Sequence, residues 1–253
     1  PLAGLRMQAD LAQRETNADE LKKSLKHIGQ SSVRATHTVN QLLALARAET
    51  TGRSLVKQTL DVVLIASEVM ADSVPRALEK QIDLGYEGPE AGGPATQLEG
   101  NPTLLKELVR NLLDNAIDAA AGAPGPRRVG FSSWVEDDPS ERGIASTLVL
   151  RVSDSGPGLD EDCVTRAFTR GWSTKSDQRL IGHGLGLALV GQVTHRNGGT
   201  VEVSRAGDRL RAHPVLPDAL PHREASGGAG CGSPTYVGAV FTVRFPLPVA
   251  VRP

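Results

Sequence analysis

Apolar residues recur at steps of three, four or seven from the start of the chain to about Glu49. Leu2, Leu5, Ala9 and Ala12 form one stripe, which predicts a helix over residues 2–15. Thr16-Asn17-Ala18-Asp19-Glu20 marks a restart: Asn17 is suited to cap a new helix, with Glu20 reaching back three residues as in a capping box. Leu21, Leu25, Ile28, Ala35, Val39, Leu42 and Ala46 carry the stripe onward, with the spacing of a bundle or coiled-coil seam. Two antiparallel helices of this kind expose a stripe that one hairpin leaves uncovered. A dimeric four-helix bundle, formed through residues 1–50, is the expected solution.

The period changes after Thr50-Thr-Gly52, and strand and helix signals alternate from there. Alternation predicts strands over 55–60, 82–86, 129–135, 147–152, 200–204 and 239–245. Helical spacing covers 62–80, where Pro75 should kink the helix, and 104–121, which Pro102 opens. It returns over 185–196, which Asn197-Gly198-Gly199 closes. Helices gathered on one face of a mixed sheet make residues 51–253 an α+β sandwich. Residues 206–237 hold Pro214, Pro217, Pro221, Pro234 and a Gly-Gly-Ala-Gly run without a sustained period. They predict a long, flexible loop between two strands.

Composition changes this picture only by exclusion. At 253 residues, 39% hydrophobic and 23% charged, the chain has room for one large or two modest cores. A net charge of −1 and the lack of a basic face give no pull toward nucleic acid. Two cysteines, Cys163 and Cys231, make neither a disulfide framework nor a metal cluster. No apolar run approaches the roughly 18 residues of a membrane span. The chain opens on Pro and not Met, so a fragment is expected, with any membrane span upstream of it.

Three separated segments carry candidate chemistry. Glu107, Asn111 and Asn115 stand at i, i+4 and i+8 and so share one helix face, while Leu105, Leu108, Leu112 and Leu113 turn elsewhere. Such a polar stripe is either a solvated face or a set of oxygen ligands for a hard cation such as Mg²⁺. Asp154 ends an apolar strand and is followed by Gly156 and Gly158. This is either turn chemistry or a buried acceptor for an exocyclic amine, with backbone close against the base. Gly182, His183, Gly184, Leu185 and Gly186 open a helix, whose free amides suit an anion. A dinucleotide-binding loop is the rival there, but the preceding residues are polar and form no buried strand; a Walker loop is absent. Between the last two segments, Ser173, Thr174 and Lys175 offer two hydroxyls and a point charge to phosphate oxygens. Phe168 and Trp172 read as anchors of that segment.

In this order and spacing the segments resemble the nucleotide site of the histidine-kinase/gyrase/Hsp90/MutL (GHKL) ATPase superfamily. The helices before them narrow the likeness to a bacterial two-component sensor histidine kinase. Pro1-Leu-Ala-Gly4-Leu-Arg-Met-Gln-Ala-Asp10 resembles the tail of the phosphoacceptor box, and residues 34–49 resemble the second helix of tricarboxylate-type sensors. The resemblance implies ATP and Mg²⁺ as cofactors, with Asn115 on the metal and Glu107 and Asn111 beside the triphosphate. Glu107 would orient the attacking histidine or accept its proton, and Asp154 would read adenine. Residues 173–175 would belong to a lid over the nucleotide. Asp118 stands where relatives often carry a basic residue, so it is given no phosphate contact. The acceptor histidine would lie about five residues before Pro1, and His27 and His37 do not replace it. Implied partners are a response-regulator receiver domain and a second copy of the chain, with membrane contact only through upstream segments. The implied place is the cytoplasmic side of a bacterial inner-membrane sensor. The rivals are a nucleotide-binding module without chemistry and a water-hydrolysing ATPase of the same superfamily.

Overall fold

The computed structural model describes residues 2–49, 57–93, 96–138, 145–159, 161–171, 184–205 and 238–247. Contacts divide the chain into two units, residues 1–50 and 51–253. The expected loop over 206–237 lies outside the described residues.

The first unit is a helical hairpin, α1 (Leu2–Arg14) and α2 (Ala18–Glu49). Asn17 caps α2 as its sequence predicts, its Oδ1 accepting from Asp19 N at 2.9 Å and Glu20 N at 3.4 Å. The reciprocal half of the capping box does not form. Glu20 instead pairs with Lys23 at 2.6 Å, one turn on, and the Asn17 amide donates to Glu15 Oε1 at 2.9 Å. The seam also divides. Ala35 is buried as expected, but near the end of α2 the inward positions are Gln41, Ala44, Leu45 and Ala48. Leu25, Val39 and Leu42 remain about half exposed, with Met7 and Leu11 of α1 more so. One spacing served two faces: part of the stripe closes the hairpin and part is left for something else.

In the second unit, β1 (Gln58–Asp61) pairs antiparallel with β3 (Gln97–Gly100), a short strand absent from those expected from the sequence. The main sheet has five strands in the order β2-β4-β5-β7-β6. These are β2 (Asp83–Glu87), β4 (Arg128–Asp138), β5 (Ala145–Asp154), β6 (Thr200–Arg205) and β7 (Ala239–Pro246). β2 runs parallel to β4 and the other neighbours are antiparallel, so the sheet is mixed. Against it pack α3 (Val62–Glu79), α4 (Pro102–Ala120) and α6 (Gly186–Arg196); α5 (Glu161–Arg166) is a short added turn. Leu108, Leu112, Leu148, Leu150, Val243 and Phe245 are fully buried between the two layers. Hydrophobic burial on this scale drives the sandwich. α3 continues unbroken past Pro75, and Asp61 caps it through Val63 N and Leu64 N.

α4 is held to α3 by a ladder of ion pairs at a constant offset. Lys106 meets Glu68 and Arg110 meets Asp72, both at 3.1 Å. Arg76 meets Asp114 and Asp118, and Lys80 meets Asp118 at 2.6 Å. The signs reverse halfway along: α3 is acidic then basic, and α4 is basic then acidic. A one-turn slide in either direction sets Asp72 against Asp114 or Arg76 against Arg110. The ladder therefore fixes the rotation and height of α4 on which any chemistry depends. Arg76→Glu should lower stability by about 1 kcal/mol, with the loss shrinking in high salt; urea melts at two ionic strengths read both.

Candidate nucleotide site

α4 begins where Asn101 caps it, Oδ1 accepting from Leu104 N at 3.2 Å, with Pro102 in the first turn. From that start the helix turns Glu107, Asn111 and Asn115 to one side. Glu107 and Asn111 are nine-tenths buried or more, and Asn115 is half-buried. Asn111 Nδ2 donates to the Glu107 carbonyl at 2.7 Å, which fixes the amide and leaves its oxygen facing away from that bond. Glu107 Oε2 is buried and has no hydrogen-bond partner among the described residues. Its other oxygen lies 3.9 Å from the Arg110 guanidinium. A buried carboxylate oxygen left without a donor is costly. Asp118, given no phosphate contact from the sequence, is taken up by Arg76 of α3 and by Lys80 at its C-terminal cap.

Asp154 ends β5 with its side chain on the helix-covered side of the sheet. It is 7% exposed, and Oδ1 accepts from Gly156 N at 2.8 Å and from Ala239 N at 3.4 Å. Burial pushes its carboxyl up to about 6, against the pull of those two donors. The turn that follows is pinned to β4: Ser155 N donates to the Arg128 carbonyl at 3.0 Å, and Arg128 N donates to Ser155 Oγ at 2.9 Å. Gly156 lies flat on α4, where a Cβ would come within 2.8 Å of Ala119 Cβ and of Asp154 Oδ1. Ala119 is one turn beyond Asn115, so this contact brings the Asp154 turn to the C-terminal end of the polar face of α4. Gly158 has φ +74°, which only glycine adopts freely.

α6 packs on α4 from the side away from α3. Gly184 has φ +61°, Leu185 occupies the cap position without a side-chain hydrogen bond, and Gly186 starts the helix. Leu185 thus gives the first amides of α6 no side-chain acceptor. The Gly171 amide donates to the Gly184 carbonyl at 3.1 Å, so the ends of the expected lid are tied together. Ser173, Thr174, Lys175, Gly182, His183 and Trp172 lie outside the described residues. Phe168 packs over Gly191 of α6, where a Cβ would stand 3.8 Å from its ring, and lines a shallow groove with Ala188, Gln192 and His195. Anchoring fits this placement better than base stacking.

The sequence reading missed Ala119, Ser155 and Gly238 as parts of the wall around Asp154. Gly156 announced a close approach without saying to what, because Ala119 and Gly238 come from distant segments.

Comparison with known proteins agrees with this geometry. Residues 100–249 match the family described as histidine kinase-, DNA gyrase B- and HSP90-like ATPase, and residues 1–51 match the His Kinase A (phospho-acceptor) domain. The C4-dicarboxylate transport sensor protein DctB of Pseudomonas aeruginosa is 28% identical over 88% of this chain and 36% of its own length. The sensor protein kinase PmrB of the same organism is 27% identical over 87% of this chain and 43% of its own. The chain thus spans less than half the length of these relatives. Full-length ShkA, solved in complex with AMPPNP, shares the fold with a TM-score of 0.60, at 21% identity over 96% of this chain and 42% of that one. A phospho-acceptor-type hairpin followed by this ATPase fold leaves one assignment: the chain belongs to the histidine kinase-, DNA gyrase B- and HSP90-like ATPase family, in its sensor histidine kinase branch.

Proposed function

We propose that this chain binds Mg-ATP and transfers the γ-phosphoryl group to a histidine, for relay to an aspartate of a response-regulator receiver domain. The observation that carries this reading is the buried, unpartnered Glu107 oxygen on the same helix face as Asn111 and Asn115. Asp154 accepts the adenine amine and the glycines at 156 and 158 let the base approach. Asn115 offers a neutral carbonyl oxygen to Mg²⁺, whose chemistry is to neutralise charge on the transferring phosphoryl group. Asn111, the lid residues Ser173, Thr174 and Lys175, and the amides of residues 182–186 hold the phosphates. Glu107 orients the histidine and takes its proton as the nitrogen–phosphorus bond forms and the bond to the ADP oxygen breaks. The protein's share is positioning and electrostatics.

The exposed apolar residues of the hairpin, Leu25, Val39 and Leu42, support dimerisation through residues 1–50. Among the described residues no helix is long and apolar enough to cross a membrane, and we place the chain on the cytoplasmic side of a membrane sensor. The likeness to DctB favours the small-carboxylate branch of such sensors.

Calorimetric titration of a non-hydrolysable ATP analogue should show Mg²⁺-dependent binding, with the Mg²⁺ dependence lost in Asn115→Ala. Labelled ATP should then mark a histidine-bearing acceptor helix supplied on a second chain. Tight binding without transfer favours a nucleotide-binding module; no binding to folded protein overturns the reading.

A further inference from the structure

Among the described residues, Arg110 is the ladder cation that also approaches Glu107. Lys106, one turn before it, pairs with Glu68 alone. Arg110 donates through Nη2 to Asp72 Oδ2 at 3.1 Å and sets Nη1 3.9 Å from Glu107 Oε1. It thus joins α3 to the buried carboxylate on the neighbouring face of α4. We propose that Arg110, pinned by Asp72, is a positioning residue that orients the Glu107 carboxylate for proton acceptance. This rests on the kinase reading given above and names a device within that site.

A carboxylate taken out of water needs a compensating charge nearby. The planar guanidinium fork serves two carboxylates at once, which a lysine ammonium on a flexible stem does poorly. At 3.9 Å the Arg110–Glu107 approach is too long for a hydrogen bond. It attracts Oε1 without occupying a lone pair, and so leaves Oε2, which is buried and has no donor, to take the proton. A direct hydrogen bond would hold the carboxylate harder but weaken it as a base. Asp72 keeps the guanidinium from swinging away to solvent, and its own position comes from α3. Loss of either residue should leave nucleotide contacts intact and slow the step that uses Glu107.

The test measures transfer of label from ATP to the acceptor helix supplied in trans, together with affinity for the ATP analogue. Arg110→Gln should lower the transfer rate at saturating ATP about tenfold, with analogue affinity changed by less than about twofold. Asp72→Asn should lower it less and Arg110→Lys should restore it only in part. Lys106→Gln, which breaks the adjacent rung, should leave it unchanged. In a Glu107→Gln background Arg110→Gln should add nothing, since it acts through that carboxylate. If Arg110→Gln unfolds the chain, Asp72→Asn carries the test. Equal losses in Arg110→Gln and Lys106→Gln, or full additivity with Glu107→Gln, would show a merely structural rung and overturn the proposal alone. No transfer by the unmodified chain overturns the kinase reading and this proposal with it.

Discussion

Asp154→Asn is expected to abolish adenine-nucleotide binding and, in the same protein, to raise the melting temperature. Both follow from one buried carboxylate. Oδ1 already serves the amides of Gly156 and Ala239, so an asparagine keeps its oxygen there and turns its NH2 toward the base. A donor then faces the adenine amine, also a donor, and affinity should fall at least about a hundredfold, the equivalent of roughly 3 kcal/mol for a broken and unsatisfied contact.

Stability moves the other way. Burial holds the folded-state carboxyl near 6 against an ordinary 3.8. Below 3.8 it is protonated in both folded and unfolded chains, and in between it is protonated only when folded. Above 6 it is ionised in both, and the full cost of burying the charge falls on the native state. This group therefore lowers stability as pH rises through that window, by about 3 kcal/mol at most. The asparagine removes the cost at neutral pH, worth several degrees in a domain of this size. Binding by the unmodified chain should weaken as pH falls below 6, while the variant's stability should lose this dependence. Thermal melts and calorimetry at pH 5 and pH 7.5 read both arms. A variant that binds normally sinks the adenine assignment. One that loses both binding and stability shows a carboxylate that only holds its turn.

What the sequence made legible and what it hid divide along physical lines. Local signals survived folding: the Asn17 cap, the Pro102 start of α4, the Asn197-Gly198 stop with its φ of +72°, and the sheet strands from β4 onward. Each is decided within a few residues, where spacing and cap chemistry act. The four-residue strand β3 went unread because it is defined by its partner β1 and has no period of its own. Glu20 left the capping box because Lys23 offered a charged partner closer at hand. The stripe on α2 read as one seam because the 3.5-residue period does not say which of two faces meets the neighbouring helix and which a second chain.

The site followed the same rule. Spacing alone put Glu107, Asn111 and Asn115 on one face, and a strand-end Asp before glycines read as a buried acceptor. No local pattern reports that Ala119 closes on Gly156, or that Asp72 reaches Arg110 from α3. Asp118 looked like a gap in a phosphate site. It proves to be the anchor of the last rung of the ladder, satisfied by two cations that the sequence places 38 and 42 residues away. Its role is to set α4, and through α4 the polar face proposed to hold the nucleotide.

Gly238→Ala should lose nucleotide binding and stability together, the opposite pairing from Asp154→Asn. Gly238 leads into β7 beside the end of β5, where an added Cβ would lie 2.6 Å from the Asp154 carbonyl carbon and 3.2 Å from Ser155 Cα. It would also fall well inside contact distance of the Asp154 carbonyl oxygen. These are backbone atoms, so no side chain can swing aside; relief requires the start of β7 to part from the end of β5. That movement breaks the Ala239 amide bond to Asp154 Oδ1 and the pairing of Val240 with Ser153. One donor to the Asp154 carboxylate is lost and the turn carrying Gly156 shifts off Ala119. Overpacking of a close-packed site costs about 1–3 kcal/mol where side chains can adjust, and here the obstacle is main chain, so the upper end or more is expected. Urea melts should show the midpoint falling while the analogue no longer binds. A variant with unchanged midpoint would mean that β5 and β7 separate freely at this end, and that the wall behind Asp154 is set by the Gly156–Ala119 contact alone.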